Sequence, residues 1–297
     1  SAYPPVTVDM QLTQVSAHTY YVRGVAGVAT DKEGFISNAG FVVTNEGVVV
    51  FDSLGSPSLA WALRERIRTV TDRPVVKVVV SHYHADHVYG LQVFKDEGAE
   101  IIAPRGAYEY LDSPTSLERL EERRLSLDPW VNDDTRLVPP DLMIEEFHRF
   151  SLGGIDFRLN YLGSAHSEGD MTMYVVQDRV LFSGDIIFEA RVPFVGDADT
   201  KRWLETLQAL ETNELAALVP GHGPAASDPV GAVARTREYL AYLRKVMGAA
   251  VDELEDFAGA YDAADWSRFE KLPAFNAANR RNAYQVFLSM EAEALAE

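Results

Sequence analysis

The sequence predicts an α/β fold of layered sheets and helices, and three observations carry that expectation. Short apolar runs, several with period two, fill the first part of the chain, and a similar succession of strand-like runs and a helix returns after residue 156. From Pro229 onward the pattern becomes helical. With 297 residues, 47% of them hydrophobic, the chain has the apolar content for one large core. The boundary is expected at 228, with a main domain over 1–228 and a helical extension over 229–297 packed on it.

The first strands are expected at residues 19–23 (TYYVR), 39–44 (AGFVVT), 48–51 (VVVF) and 75–80 (VVKVVV). The TNEG segment between the second and third has the Asn and Gly of a tight hairpin, so those two runs pair antiparallel. In SPSLAWALRERIRTVTDRP, Leu59, Leu63, Ile67 and Val70 fall on one helical face. Ser56 is placed to cap that helix, Pro57 opens it, and Pro74 lies beyond its end.

In the second half, strands are expected at 157–162, 171–176, 179–182 and 216–219, with a helix around 203–210. Between the halves, ERLEERRLSL (118–127) reads as a solvated helix, followed by a Pro- and Asp-rich loop over 128–141. The C-terminal helices, around 229–257 and 281–295, read first as packing on the core and second as a dimer contact.

Composition removes several functions. The 27 Lys and Arg face 45 Asp and Glu, and a formal net charge of −18 argues against a nucleic-acid surface or an anionic membrane face. No apolar stretch is long enough to cross a membrane. The absence of cysteine excludes disulfides, zinc–thiolate sites and thiol nucleophiles. The opening SAYPPVTVDMQLTQV reads as a trimmed start, which a removed export signal or a cloning boundary explains equally.

Against this background SHYHADH (81–87) stands out, because three of the seven histidines and an aspartate fall within six positions. The motif follows the run 75–80, so it belongs on a loop at a sheet's carboxyl edge, where layered α/β folds place ligands. There His82 and His84 point the same way, and Asp86 and His87 follow as the chain turns into a helix. Imidazoles and carboxylates packed together need charge compensation, which a cation provides. His166 in GSAHSEGD, Asp185 in LFSGDIIF and His222 in VPGHGP each follow an apolar run and sit near glycine. They are expected on loops at the same edge, where backbone passes close to an ion.

HYHADH resembles the H-x-H-x-D-H signature of the metallo-β-lactamase fold superfamily, with His166, Asp185 and His222 in the order of its later metal motifs. Asp52, closing VVVFD, resembles the superfamily's first motif, an aspartate that braces the metal loop. The likeness extends from residue 19 to about 224. It implies a four-layer αβ/βα sandwich with the C-terminal helical extension added to it, and a dinuclear site at one edge. It further implies that His82, His84 and His166 hold one metal, that Asp86, His87 and His222 hold the other, and that Asp185 bridges them. Two Zn2+ suit these ligands, with iron and manganese chemically admissible.

The chemistry so implied is hydrolysis of a small-molecule substrate by a metal-bridging hydroxide, with Asp86 as the catalytic residue that orients it. Many β-lactamases of the superfamily carry cysteine or serine at the bridging position, whereas its thioesterase and lactonase branches carry aspartate, as here. A small ester, thioester, lactone or related carbonyl compound is therefore the expected substrate. The ligand set resembles that of glyoxalase II. SGDIIFEARVPFVGDADTKRW resembles the periplasmic SoxH-like metallohydrolases that accompany quinoprotein systems, which points to a periplasmic or secreted protein, with the cytoplasm as the other possibility. The alternative activity is that of the persulfide dioxygenase branch, a mononuclear iron oxidoreductase.

Arg191 and Phe194, soon after Asp185, are candidates for the pocket wall, the guanidinium for a substrate carboxylate. The glycine-spaced loop 24–40 is open to two readings, a flap over the metals and an ordinary surface loop. His18 and His148 lie outside the motifs and read as structural, and Trp61 and Tyr83 as packing.

Overall fold

In the computed structural model all four residues of 48–51 are buried, which a strand achieves only when both its faces are covered. The structure describes residues 2–296; Ser1, where the reading of a trimmed start falls, and Glu297 lie outside the described residues.

The first sheet has the order β1 to β7: β1 (Leu12–Gln14), β2 (Thr19–Val22), β3 (Ala39–Val43), β4 (Val48–Phe51), β5 (Val75–Val79), β6 (Glu100–Pro104) and β7 (Leu142–Ile144). Strands β1 to β4 pair antiparallel, and β3 meets β4 with Val43 opposite Val48, as the hairpin signal requires. Strands β4 to β7 run parallel, their crossovers filled by helices. The second sheet has the order β12-β11-β10-β9-β8, from β8 (Phe147–Leu152), β9 (Ile155–Gly163), β10 (Asp170–Val175), β11 (Val180–Phe188) and β12 (Ala217–His222).

Between the sheets lies one apolar layer, with Val49, Phe51, Val79 and Ile102 from the first and Phe157, Leu159, Met173 and Phe182 from the second. The alternate residues of the first sheet, Val48, Val50, Val78 and Ile101, face outward onto α1 (Pro57–Arg68), α2 (Ala85–Val88), α3 (Leu91–Asp96), α4 (Ala107–Leu111) and α5 (Pro114–Ser126). Behind the second sheet, Leu181, Ile187 and Leu218 share a cluster with α6 (Thr200–Ala209), α7 (Pro229–Asp252), α8 (Phe257–Ala263) and α9 (Phe275–Ala296). The layers are thus helix, sheet, sheet, helix, and the C-terminal helices contribute Leu240, Leu243, Val286 and Phe287 to the outer core. No helix among the described residues is long and apolar enough to cross a membrane.

The α1 signals act as expected. Leu59 N–H donates to Ser56 Oγ at 3.0 Å, Pro57 opens the helix, and Leu59, Leu63 and Ile67 are buried, but the helix ends at Arg68, so Val70 lies beyond it and is exposed. His18 is structural, its Nδ1 2.7 Å from Asp178, and half-buried His148 lies on β8 beside Phe150. Tyr83 is packed, its hydroxyl donating to Val138 O at 2.8 Å, and Trp61 meets Tyr3 and Arg64.

Two expectations need correction. Strand β11 does not stop at Phe182 but runs to Phe188, and β12 runs past Val219 to His222, so Asp185 lies inside a strand and His222 at the end of one, neither on a loop. The pairing of β11 with β12 slips on either side of Gly184, whose φ of 55° only glycine adopts readily, and this bulge re-aims the following side chain. In addition, β1, β6, β7 and β8 gave no clear run. Along β8 (FHRFSL) exposed and half-buried residues alternate at an open edge, so its apolar signal is weak.

Candidate metal centre

The parallel order of β4 and β5, and of β11 and β12, brings the carboxyl ends of those strands to one edge of the sandwich. Beyond β5, His82 and His84 lie in extended chain, while Asp86 and His87 occupy the single turn of α2. His166 comes from the connection between β9 and β10, and His222 closes β12. All seven expected ligands meet here, in two groups. The side-chain ligand atoms of His82, His84 and His166 lie within 4.8 Å of one another, as do those of Asp86, His87, Asp185 and His222.

Asp185 stands between the groups. Its Oδ2 is 3.2 Å from Nε2 of His166 and 3.1 Å from Nε2 of His222, and its Oδ1 is 3.1 Å from Nε2 of His87. In the second group, Asp86 Oδ2 is 3.3 Å from Nε2 of both His87 and His222. The Asp86 side chain is 23% exposed and that of Asp185 4%, so Asp86 faces the entrance while Asp185 is enclosed.

Three ligands have their outer ring nitrogen occupied, which fixes the tautomer. Asp52 accepts from Ser81 N and Ser81 Oγ at 2.7 Å each and lies 2.8 Å from Nδ1 of His87. Ser81 Oγ, having donated to Asp52, lies 2.8 Å from Nδ1 of His82. His222 Nδ1 donates to the Ile36 carbonyl at 2.7 Å. In each ring the Nε2 lone pair therefore points inward, the arrangement of a histidine that ligates a metal.

The electrostatics agree with a cation. Burial drives His82 well below the usual imidazole range, helped by His87 and His84, and burial with His166 brings His84 down to about 3. Both rings are neutral, the form that ligates. Burial would lower His87 and His222 as well, but Asp185, Asp86 and Asp52 outweigh it to raise His87, and Asp185 and Asp86 do the same for His222, so a cation bound there displaces a proton from those rings. Burial opposes the charge of Asp185, but His222, His87, His82 and His166 outweigh it and hold the carboxyl well below its ordinary value. Asp86 is lowered in the same way by His87 and His222 against the effect of burial. Four buried atoms of the centre, Nε2 of His87, both ring nitrogens of His166 and Oδ1 of Asp185, have no hydrogen-bond partner. Leaving such groups unpaired is costly, and divalent ions between the two groups would satisfy three of the four, all but one nitrogen of His166. The donor set of nitrogen and carboxylate oxygen fits zinc.

The loop 24–40 is partly a brace and partly open. Its inner end is tied to the centre, with Ser37 Oγ donating to Asp86 O at 2.6 Å and Asn38 Nδ2 donating to Pro220 O at 2.9 Å and Gly223 O at 2.8 Å. Its outer part exposes Val25 and Val28. Sequence reasoning did not single out Ser81 or Asn38; Ser81 sits at a strand end beside a ligand, but nothing local marks Asn38, whose Nδ2 partners are more than 180 residues away. Of the two pocket candidates, Arg191 is buried and Phe194 is exposed.

A model of the metallo-beta-lactamase superfamily matches residues 33–222, nearly two thirds of the chain. The protein belongs to the metallo-beta-lactamase superfamily. Its sequence is 23% identical over 210 residues to metallo-beta-lactamase IND-1 of Chryseobacterium indologenes, covering 69% of this chain and 77% of that one. It is also 23% identical over 226 residues to the type 2 metallo-beta-lactamase of Bacteroides fragilis, covering 73% and 81%. Among solved structures, the stereoselective inverting sec-alkylsulfatase Pisa1 from Pseudomonas sp. superposes with a TM-score of 0.75 at 21% identity, over 94% of this chain and 50% of that one. A metallo-beta-lactamase from Pontibacter korlensis superposes with a TM-score of 0.60 at 20% identity, over 78% and 99%. The chain thus spans half the length of the alkylsulfatase, and that likeness, which is one of fold, takes in most of the C-terminal helices. As a member of the metallo-beta-lactamase superfamily the protein is a metal-dependent hydrolase.

Proposed function

We propose that this superfamily member is a dinuclear zinc hydrolase acting on a small ester, thioester, lactone or related carbonyl compound. The observation that carries the reading is the Asp185 carboxylate, which turns one oxygen toward His87 and the other toward His166 and His222, between two complete ligand groups. In the resemblance drawn from the sequence, an aspartate at this position goes with the thioesterase and lactonase branches. Bound there, two divalent ions would supply Lewis acidity toward the substrate oxygen and a water ionised near neutral pH.

The protein's own groups then have separate tasks. Asp86, ionised and nearest the entrance, accepts a hydrogen bond from the attacking water and orients it. Asp52 holds the rings of His87 and, through Ser81, His82, so the ligands are in place before substrate arrives. Phe188, stacked on His222 at 4.7 Å, and Trp203, 5.0 Å from His166, shield the rear of the centre from solvent. Arg191 and Phe194 follow β11 and supply the wall.

Elemental analysis of protein purified without chelator, together with an ester, thioester and lactone panel, tests the proposal. About two zinc ions per chain with turnover of one such class supports it. A single iron with oxygen consumption on a persulfide would replace it with the mononuclear oxidoreductase reading.

A further inference from the structure

Helix α9 turns Ala278, Asn282, Ala283, Val286 and Phe287 inward, where they are buried. Its opposite side is apolar as well: Tyr284 is 44% exposed, Leu288 40% and Leu295 89%. A surface helix ordinarily leaves its outer face to polar residues, and one that is apolar on both sides is covered on both. Phe257 of α8 holds the Tyr284 ring edge-on at 5.0 Å, so this large side chain is already in place to receive a neighbour.

The pattern of the outer face identifies the neighbour. Exposed Ala277, Arg281 and Glu291 join the three large residues in one stripe, within about 40° of a common line along the helix. The steps from Ala277 through Arg281, Tyr284, Leu288 and Glu291 to Leu295 are four, three, four, three and four, the same from either end. A second α9 laid antiparallel about residue 286 therefore sets Tyr284 against Leu288, Arg281 against Glu291 and small Ala277 against large Leu295. The two charges are the ones left over on this helix. Arg280 has Asp262 at 3.5 Å and Glu293 accepts from Arg244 at 2.8 Å, whereas Arg281 and Glu291 have no hydrogen bond or ion pair among the described residues. They stand about 15 Å apart along the helix, too far to meet within one chain.

We propose that α9 pairs antiparallel with α9 of a second copy of this chain, forming an isologous dimer. Tyr284 and Leu288 of both copies make its apolar centre, and an Arg281–Glu291 ion pair flanks that centre on either side. A chain of net charge −18 repels its own copies at long range, so such a contact has to carry its own complementarity, and this stripe does. Contact along one helix is small for a dimer, so the pair dissociates on dilution. The inference is independent of the hydrolase reading.

Sedimentation velocity on the full chain, over about a hundredfold range of concentration, tests it. We expect a reversible monomer–dimer equilibrium in the parent protein. Arg281→Glu and Glu291→Arg each set like charges opposite one another at both flanks, and each is expected to raise the dimer Kd about tenfold or more. An equimolar mixture of those two variants regains both ion pairs in one heterodimer and is expected to associate within about threefold of the parent. Circular dichroism is recorded on each variant, and recovery in the mixture itself requires both to be folded. A parent that stays monomeric throughout overturns the inference, as does a dimer that neither charge variant weakens. So does a mixture that associates no better than its components.

Discussion

Oδ2 of Asp52 lies 2.8 Å from Nδ1 of His87, and the same carboxylate receives both the N–H and the hydroxyl of Ser81. One side chain at the end of β4 therefore sets the ring of one ligand directly and, through Ser81, the ring of His82 in the other group. Asp52 itself adopts a left-handed φ of 63°, a costly conformation that turns its carboxylate toward the end of β5.

Asp52→Asn keeps the shape but puts an amide donor where one of these donors now points. The His87 ring loses its orientation, and affinity for metal in the second group is expected to fall about 10- to 100-fold, with kcat/KM falling alongside. Competition against a chromophoric chelator measures the first and a progress curve the second. Unchanged affinity would show that the ring is held by packing alone.

Asp178 ties the two sheets together. From the β10–β11 turn it accepts from His18 N at 2.9 Å and Thr19 Oγ1 at 2.8 Å, and also from Ser16 Oγ, all at the start of β2. Asp178→Ala strands these donors and is expected to cost about 3 kcal/mol at pH 7. Burial opposes the charge of Asp178, but the bonds from His18, Ser16 and Thr19 outweigh it and lower the carboxyl below 3.8. A carboxyl lowered by folding stabilises above its unfolded value and loses that contribution as pH falls through the lowered one. Urea midpoints should therefore show a gap between parent and variant that is constant from pH 7 to 5 and narrows only as the pH falls into the range below 3.8.

Much of this was legible in the sequence because local chemistry wrote it there. The apolar run of β5 leading into SHYHADH, the Ser56–Pro57 start of α1 and the hairpin at 44–47 each depend on neighbours along the chain. The seven candidate ligands were readable for the same reason, as distinctive residues at or after the end of an apolar run, and the fold gathers them into two groups. What the sequence did not display was set by distant contacts. The bulge that carries Asp185 within β11 depends on how β12 pairs, and Asn38 earns its place only where the loop before β3 meets the turn after β12. The C-terminal helices looked like an appendage by periodicity, and only the fold reveals that Asn282 reaches the segment after Arg191.

Asn282→Ala tests that reach. It removes bonds to Pro193 O, Val195 N and the Tyr239 hydroxyl, which lies at 2.9 Å, all buried. We expect stability to fall by about 2–3 kcal/mol and the wall segment to loosen, so that KM rises several-fold while metal content stays at the parental value. A drop in kcat with KM unchanged would place the effect at the metal centre and not at the wall.

Gly221 leaves the space into which Asp185 fits. A Cβ at residue 221 would lie 1.9 Å from Oδ1 of Asp185 and 2.7 Å from the Gly184 carbonyl carbon, and backbone on that side leaves little room to yield. Gly221→Ala is thus expected to push the Asp185 carboxylate off the line between the two ligand groups without altering any ligand. Metal stoichiometry should fall from two toward one and kcat/KM by about 100-fold or more, since both depend on that carboxylate. Circular dichroism is expected to show that the sheets persist, since the pairing of β11 with β12 at Leu181 and Leu218 does not involve residue 221. A variant that kept two ions and full activity would mean that Asp185 does not bridge, and the dinuclear reading would fall with it.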